Sequence, residues 1–255
     1  ATTEGFWLTN SSGKSWMLTT SRELEINSIA VHPNAPEKIF IATNNYGVMV
    51  STDGGKNFEQ TNNNFTSRFT LSVMPDIERP NRLYSATRNT ATGGGFFFIS
   101  DDSGETWQPA MKNLVANRVS LYSMLQDRAN PNNIYLGTEV GIFRSADRGL
   151  SWTQITPPKP KPQPKRRAPA KGRAAVKAKT APAKPPVTAK TEPQVEKIPA
   201  LTEQVKVLVH TEDGKNGILA GTDKGLYRTY DLNGGWEKLY FGEGRNEQVF
   251  AIFTA

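Results

Sequence analysis

Residues 100–107 read SDDSGETW, from Ser100 to Trp107, and crowd Asp101, Asp102 and Glu105 into eight positions. Taken alone, the stretch has the look of a metal or sugar site. Its recurrence argues for a different role. The pattern Ser/Thr, any, Asp, any, Gly, any, any, aromatic returns as STDGGKNF (Ser51, Asp53, Gly55, Phe58) and as SADRGLSW (Ser145, Asp147, Gly149, Trp152). Two weaker copies flank these three. TNSSGKSW keeps Thr9, Gly13 and Trp16 with Ser11 in the Asp position, and TYDLNGGW keeps Thr229, Asp231 and Trp236 with Asn233 in the Gly position. The Asp-equivalent positions 11, 53, 102, 147 and 231 are spaced by 42, 49, 45 and 84 residues. Self-similarity at such a period marks a propeller or a solenoid.

Around each box lies a longer shared frame. Before it come two β-rich runs joined by a polar turn, as in IYLGTEVGIFRSADRG (134–149) and ILAGTDKGLYRTYDLNG (218–234). Further upstream is a third apolar run, as in FTLSVMP or VKVLVH, and a short fourth run follows the box, as in FEQT or WTQI. Val, Ile, Phe, Tyr and Thr with Gly, Pro and Asn punctuation favour strands. Four strands, A to D, in about 45 residues predict a propeller blade. The expected fold is therefore all-β, a β-propeller of four-stranded antiparallel blades. The frame divides into the second half of a blade (1–20), blades at 21–65, 66–112 and 113–156, an insertion (157–199), a blade at 200–242 and the first strand of another at 243–255. Four full blades with part-blades at both ends predict a partial propeller.

This register places the box at the C-to-D hairpin. Gly55, Gly104 and Gly149 supply positive φ there, with Asn233 as the next best substitute. Asp53, Asp102, Asp147 and Asp231 are expected to accept backbone N–H groups of their own turns, and the aromatic to fill the space between neighbouring sheets. The acids read as turn staples, since a calcium loop needs more clustered oxygens and a bidentate Glu. No metal and no cofactor is implied.

The box and the line IYLGTEVGIFRSADRGLSW resemble the Asp-box, or BNR, repeats of sialidases, sortilin-like receptors, bacterial xyloglucanases and photosystem II assembly-factor-like propellers. The bacterial sortilin-like and assembly-factor-like repeat proteins are most similar, through the pattern GT-x-x-G-aromatic-R-S-x-D. The resemblance covers nearly all of the chain outside 157–199. It implies the propeller, a secreted, periplasmic or cell-surface bacterial protein, and the remaining blades of the same protein as partners. It does not choose between enzyme and binding module, because the box is common to both.

Charge is distributed unevenly. Residues 157–199 carry 12 Lys and Arg against Glu192 and Glu196, and 11 of the 17 prolines, so this segment holds more positive charge than the chain's net of +7. With no aromatic residue it cannot bury enough apolar area to offset its ordering, and it is predicted to be disordered. Removing it returns the 84-residue gap to an ordinary period. It follows a D strand and precedes an A strand, which places it on the face opposite the boxes. From Lys159 to Lys197 it could hold an anionic polymer by counterion release; an inert solubilising tether is the alternative reading.

The same face carries the B-to-C turns and the starts of the A strands, with Asn44, Asn45, Tyr46, Arg68, Arg88, Arg118, Glu139, Asp223, Lys224 and Arg245. Arginines and aromatics around a propeller mouth suit a protein or polysaccharide ligand. The glycine-rich turn 88–95 lacks the ending of a phosphate loop. The reading is a non-catalytic binding or assembly module. The alternative is a sialidase- or xyloglucanase-like glycoside hydrolase, which needs two carboxylates flanking the sugar bond; only Glu139 and Asp223, at equivalent turns, suggest a pair, and no catalytic residue is assigned. His32 and His210 occupy matching positions at the ends of A strands and read as packing residues. With no cysteine there is no disulfide or thiolate nucleophile, and no apolar run approaches the roughly 20 residues of a membrane span.

Overall fold

The computed structural model describes residues 2–65, 69–89, 93–114, 119–157, 197–239 and 248–252. These residues form nineteen strands and no α-helix. Sheet I pairs β1 (Trp7–Leu8) with β2 (Met17–Leu18). Sheet II holds β3 (Ile26–His32), β4 (Ala35–Thr43), β5 (Val48–Ser51) and β6 (Glu59–Gln60) in chain order. Sheet III repeats this with β7 (Thr70–Pro75), β8 (Leu83–Arg88), β9 (Gly95–Ser100) and β10 (Gln108–Pro109), and sheet IV with β11 (Leu121–Gln126), β12 (Ile134–Thr138), β13 (Gly141–Ser145) and β14 (Thr153–Gln154). Sheet V has β15 (Lys197–Ile198), β16 (Val205–His210), β17 (Ile218–Thr222), β18 (Gly225–Thr229) and β19 (Trp236–Leu239), with β15 added outside β19. Within each sheet the strands pair antiparallel, so among the described residues the four-strand unit expected from the repeat is present four times.

The apolar core lies between sheets, in layers. One layer joins Phe40, Val48 and Val50 of sheet II to Val73, Leu83, Phe98 and Trp107 of sheet III. The next joins Tyr84, Phe97 and Ile99 of sheet III to Leu121, Ile134, Phe143 and Trp152 of sheet IV. A third joins Tyr135 and Ile142 of sheet IV to Leu208, Ile218, Tyr227 and Trp236 of sheet V. A B strand is covered on both faces by neighbours, which is why β8 and β12 bury nearly every residue. The A strands β3, β7, β11 and β16 succeed one another as the inner strands, and each consecutive pair packs together.

Each A strand carries the same irregularity. A register shift falls between Ile26 and Ser28, Thr70 and Ser72, Leu121 and Ser123, and Val205 and Val207. Such a bulge bends the strand, and its repetition at one position shows that it belongs to the unit. Opposite it, the next sheet comes close: a Cβ on Gly137 would lie 2.8 Å from the Val205 carbonyl oxygen, and one on Gly221 would lie 2.6 Å from a Val249 methyl. The glycine of each Gly-Thr pair is the gap through which the following inner strand approaches.

Four expectations are corrected. Lys197–Ile198, placed in the disordered insertion, form β15, because Ile198 gains apolar cover against the sheet IV–V layer and pairs with Trp236. Residues 248–252, expected as an A strand, have no strand pairing; Val249 N–H donates to the Thr222 carbonyl at 2.9 Å over Gly221. The histidines are not equivalent: His210 faces Ile218, whereas Val31 faces the corresponding Ile39, because His32 stands six residues after Ile26 and His210 five after its counterpart Val205. Asn233 does not take positive φ; in that turn Gly235 does, at +86°. The rest of the insertion, 158–196, lies outside the described residues.

Candidate functional site

Three boxes make nearly the same bonds. Ser51, Ser100 and Ser145 are buried; each hydroxyl donates to the box carboxylate at 2.7–2.8 Å and accepts the box glycine N–H at 2.8 Å. The carboxylate then accepts the N–H four residues after the Ser–Asp pair begins to turn: Asn57 at 3.0 Å to Asp53, Thr106 at 2.9 Å to Asp102 and Ser151 at 2.8 Å to Asp147. Its second oxygen takes the side chain of that same residue, the Asn57 amide or the Thr106 or Ser151 hydroxyl. The Asn57 N–H, with the Asn57 and Ser51 side chains, holds the Asp53 carboxyl down at about 2. Burial alone raises Asp102 and Asp147, but the hydroxyls of Thr106 and Ser151 and their N–H groups outweigh it and lower both. These carboxylates already accept several donors from their own turns.

Two consecutive residues of each such turn are left-handed: Gly54–Gly55, Ser103–Gly104 and Arg148–Gly149. The first copy does the same with Ser12–Gly13, where Ser11 Oγ replaces the carboxylate and accepts Ser15 N–H at 3.0 Å. The last copy is wired otherwise. Thr229 Oγ1 donates to the carbonyls of Asp231 and Gly235 at 2.8 Å, and Asp231 accepts the Asn233 N–H at 2.9 Å.

The box aromatic ties its blade to the preceding one. Trp107 donates its backbone N–H to Asn63 O at 3.0 Å and its indole N–H to Thr61 O at 3.1 Å; Trp152 repeats this with Lys112 O and Ala110 O. Both are essentially fully buried. Phe58 packs at 4.9 Å between ring centroids on Phe6 of sheet I. Trp236 is equally buried, but its indole N–H finds no acceptor among the described residues.

Missed by the sequence reading is a polar lock between sheets III and IV. Arg148 Nη1 donates to both oxygens of Asp76 at 2.7 Å, its Nε donates to Asn132 Oδ1 at 2.9 Å, and its Nη2 pairs with Glu78. Asp76 also accepts the Tyr84 hydroxyl at 2.5 Å and the Gln126 amide at 2.9 Å. Burial works to raise the Asp76 carboxyl, yet Tyr84, Arg148 and two backbone N–H groups bring it down to about 2. The signal was present as Pro75–Asp76 and Gln126–Asp127, at the same offset from the two A strands, but nothing in the sequence pairs Asp76 with a residue 72 positions later.

On the opposite ends of the sheets, the B-to-C turns share a second staple. Thr43, Thr138 and Thr222 are buried; their hydroxyls donate to Gly47, Gly141 and Gly225 carbonyls and accept the N–H of Tyr46, Val140 and Lys224. This brings Tyr46, Val140 and Lys224 to equivalent exposed tips, with Glu139 and Asp223 one residue before the latter two. Asn44 pairs with Glu25 and with Asn27, and Arg88 ends β8 with its N–H on Phe69 O. Arg68, Arg118 and Arg245 lie outside the described residues. Tyr46, 45% exposed, borders a cleft of about 360 Å³ lined by Leu24, Met49 and Phe58 on its apolar side and by Thr19, Thr20, Ser21 and Glu23 on its polar side. On the box side, an open groove of about 730 Å³ between sheets II and III presents Lys38, Glu59 and Glu105 beside the occupied Asp53 and Asp102. Among the described residues no three His, Asp or Glu side chains gather as metal ligands.

Comparison with known structures gives this arrangement its name. The fold superposes on an ancestral GH74 enzyme with a TM-score of 0.62, over 94% of this chain and 28% of that one at 21% identity. It superposes on the extracellular domain of a one-component system from B. thetaiotaomicron with a TM-score of 0.63, over 98% and 28% at 15% identity. The chain is a β-propeller. At these identities the likeness shows the fold alone. In sequence, the propeller is 34% identical over 94 residues to a probable oligoxyloglucan-reducing end-specific xyloglucanase of Neosartorya fischeri, a match spanning 34% of this chain and 12% of that relative. No family model matches. The propeller therefore spans about an eighth of a curated relative's length and just over a quarter of the two solved chains. No helix among the described residues is long and apolar enough to cross a membrane.

Proposed function

We propose that this propeller is a non-catalytic, exported binding module that engages an extended glycan, or a protein chain, on the face opposite its boxes. The observation that carries this reading is the cleft at Tyr46, which runs from that face along sheet II as far as Asn57 and Phe58. An exposed phenol ring beside a row of hydroxyls and one carboxylate offers an apolar plate for the C–H face of a sugar and hydrogen-bonding groups for its edge. The box carboxylates are engaged by their own turns, so they are poor candidates for general acid and base. Glu139, Asp223, Lys224 and Arg88, with Arg68, Arg118 and Arg245, would extend contact along the rim, and the basic segment 159–197 would add affinity for an anionic polymer.

The sequence relative supports a second reading, a glycoside hydrolase whose acid and base would include Glu139 or Asp223. Titration with xyloglucan oligosaccharides, with reducing-sugar release measured in parallel, separates the two. Binding without release, weakened at least about tenfold in Tyr46→Ala by loss of an aromatic anchor, is expected. Release of sugar that stops in Glu139→Gln or Asp223→Asn would establish the hydrolase instead. Absence of binding to any neutral glycan, with salt-sensitive binding to a polyanion, would move the function to the basic segment.

A further inference from the structure

The joint between sheets IV and V contains a cavity where the joint between sheets III and IV contains an arginine. Asp127 is the counterpart of Asp76: each N–H closes the same turn, onto Asn133 O at 3.0 Å and Arg82 O at 2.9 Å, and each carboxylate caps the N–H groups two and three residues on. Tyr135 is likewise the counterpart of Tyr84, its hydroxyl on Asp127. The box register then puts Leu232 in the place of Arg148. No guanidinium reaches Asp127 from the box of sheet V. A cavity of about 210 Å³ opens there instead, lined by Asp127, Tyr135, Arg144, His210, Asp231 and Leu232.

Two groups facing this space, Asp127 and His210, are short of donors. Asp76 takes two Arg148 bonds at 2.7 Å and a Tyr84 bond at 2.5 Å, whereas the second oxygen of Asp127 has only Tyr135 at 3.2 Å and Asn133 at 3.3 Å. His210 is 7% exposed. Its Nε2 lies 2.9 Å from the Gln126 carbonyl, which can only accept, so the proton sits on Nε2. Nδ1 is left as a buried acceptor with no partner among the described residues. Arg144 donates from Nη2 to Asn133 at 3.0 Å, its Nε has no partner among the described residues, and its charge offsets one of the two carboxylates, leaving the lining with one net negative charge.

We propose that this cavity binds an arginine-type cation, whose guanidinium would take on Asp127 the role that Arg148 performs on Asp76. The space, several times the roughly 30 Å³ of a water and below the usual range for drug-sized ligands, suits a side-chain-sized group. A planar fork of donors matches a carboxylate and a neighbouring lone pair. The site lies on the box side, independent of the face assigned to the proposed glycan ligand.

The test is NMR titration of the intact protein, labelled at histidine, with N-acetyl-L-arginine methylamide, its citrulline counterpart and butylguanidinium. Saturation by the arginine compound with a Kd on the order of 1 mM, a shift of the His210 ring resonances, and binding of the uncharged citrulline compound at least about tenfold weaker are expected. Asp127→Asn, which keeps the cap acceptor, and Leu232→Arg, which puts a cation into the cavity wall, are each expected to abolish it while the protein stays folded by its melting curve. Equal binding of butylguanidinium points to a free small cation, and binding only of the blocked amino acid to a side chain of a peptide. No binding at about ten times that concentration, equal binding of citrulline, or undiminished binding in a folded Asp127→Asn or Leu232→Arg protein overturns the proposal.

Discussion

The joint between sheets III and IV and the joint between sheets IV and V are built from the same unit and finished differently. In the first, Lys112 forms a parallel bridge to Ser151, Trp152 donates two hydrogen bonds across the joint, and Arg148 locks onto Asp76. In the second, the basic insertion interrupts the D-to-A linker; β15 meets Trp236 in antiparallel register, the indole N–H is unpaired among the described residues, and the arginine is Leu232. Trp236 is nonetheless as buried as Trp152. Apolar packing, which has no direction, is kept when the linker changes. Hydrogen bonds, which need distance and angle together, are not.

This contrast can be broken in several places. Trp152→Ala is expected to cost about 3–5 kcal/mol, a buried aromatic truncation, and Trp236→Ala about 1 kcal/mol less, because it loses no cross-joint hydrogen bond; equal losses in chemical denaturation would mean that the polar part of the joint contributes nothing. Arg148→Met leaves Asp76 buried without its cation and is expected to cost about 3 kcal/mol, while Leu232→Met, at the same register in the other joint, costs less than about 1.5 kcal/mol. The pH dependence should follow. Asp76 sits at about 2 in the folded protein against 3.8 unfolded, a depressed value, so its contribution is fully present above pH 4 and fades as pH falls from about 4 to 2. In Arg148→Met the burial that raises this carboxyl is still opposed by Tyr84 but loses Arg148, the next largest opponent, so acid should destabilise that variant less than the parent protein; a parallel loss in both would remove Asp76 from the account.

Smaller effects sharpen the comparison at the turns. Asp102→Ala removes an acceptor used by several donors and is expected to cost about 1–2 kcal/mol, whereas Asp231→Ala, with one backbone donor, should cost about 0.5 kcal/mol. Smallest is a gain. Ser103 is held at φ +61°, and Ser103→Gly relieves a left-handed conformation partly offset by unfolded-chain entropy, raising stability by roughly 0.5 kcal/mol; a lower melting temperature would show that the Ser103–Asn81 hydrogen bond outweighs the strain.

Much of the fold was legible because it is local and repeated. A serine two residues before an Asp and four before a Gly encloses one hairpin, and three such copies with two weaker ones put the unit beyond coincidence. The insertion stood out by composition. What misled the reading was also local: Asn233 was taken as the left-handed residue because it aligns with glycine, but Thr229 bonds the carbonyls of Asp231 and Gly235 in a turn of the same length, and the positive φ falls at Gly235. The histidines both end an A strand, but the strand register sets His32 one residue beyond the place of His210.

By itself, then, the sequence determined the strand unit, its period, the residues of the hairpin staples and the seat of the positive charge, since each depends on contacts within a few positions along the chain. Tertiary structure alone decided which sheet faces meet, that Arg148 would find Asp76 across a joint, that Tyr46 would border a cleft, and that the same place one sheet later would be left as a cavity. Those outcomes depend on side chains tens of residues apart arriving in one layer, where Leu232 in the place of Arg148 leaves an open space beside Asp127 and His210.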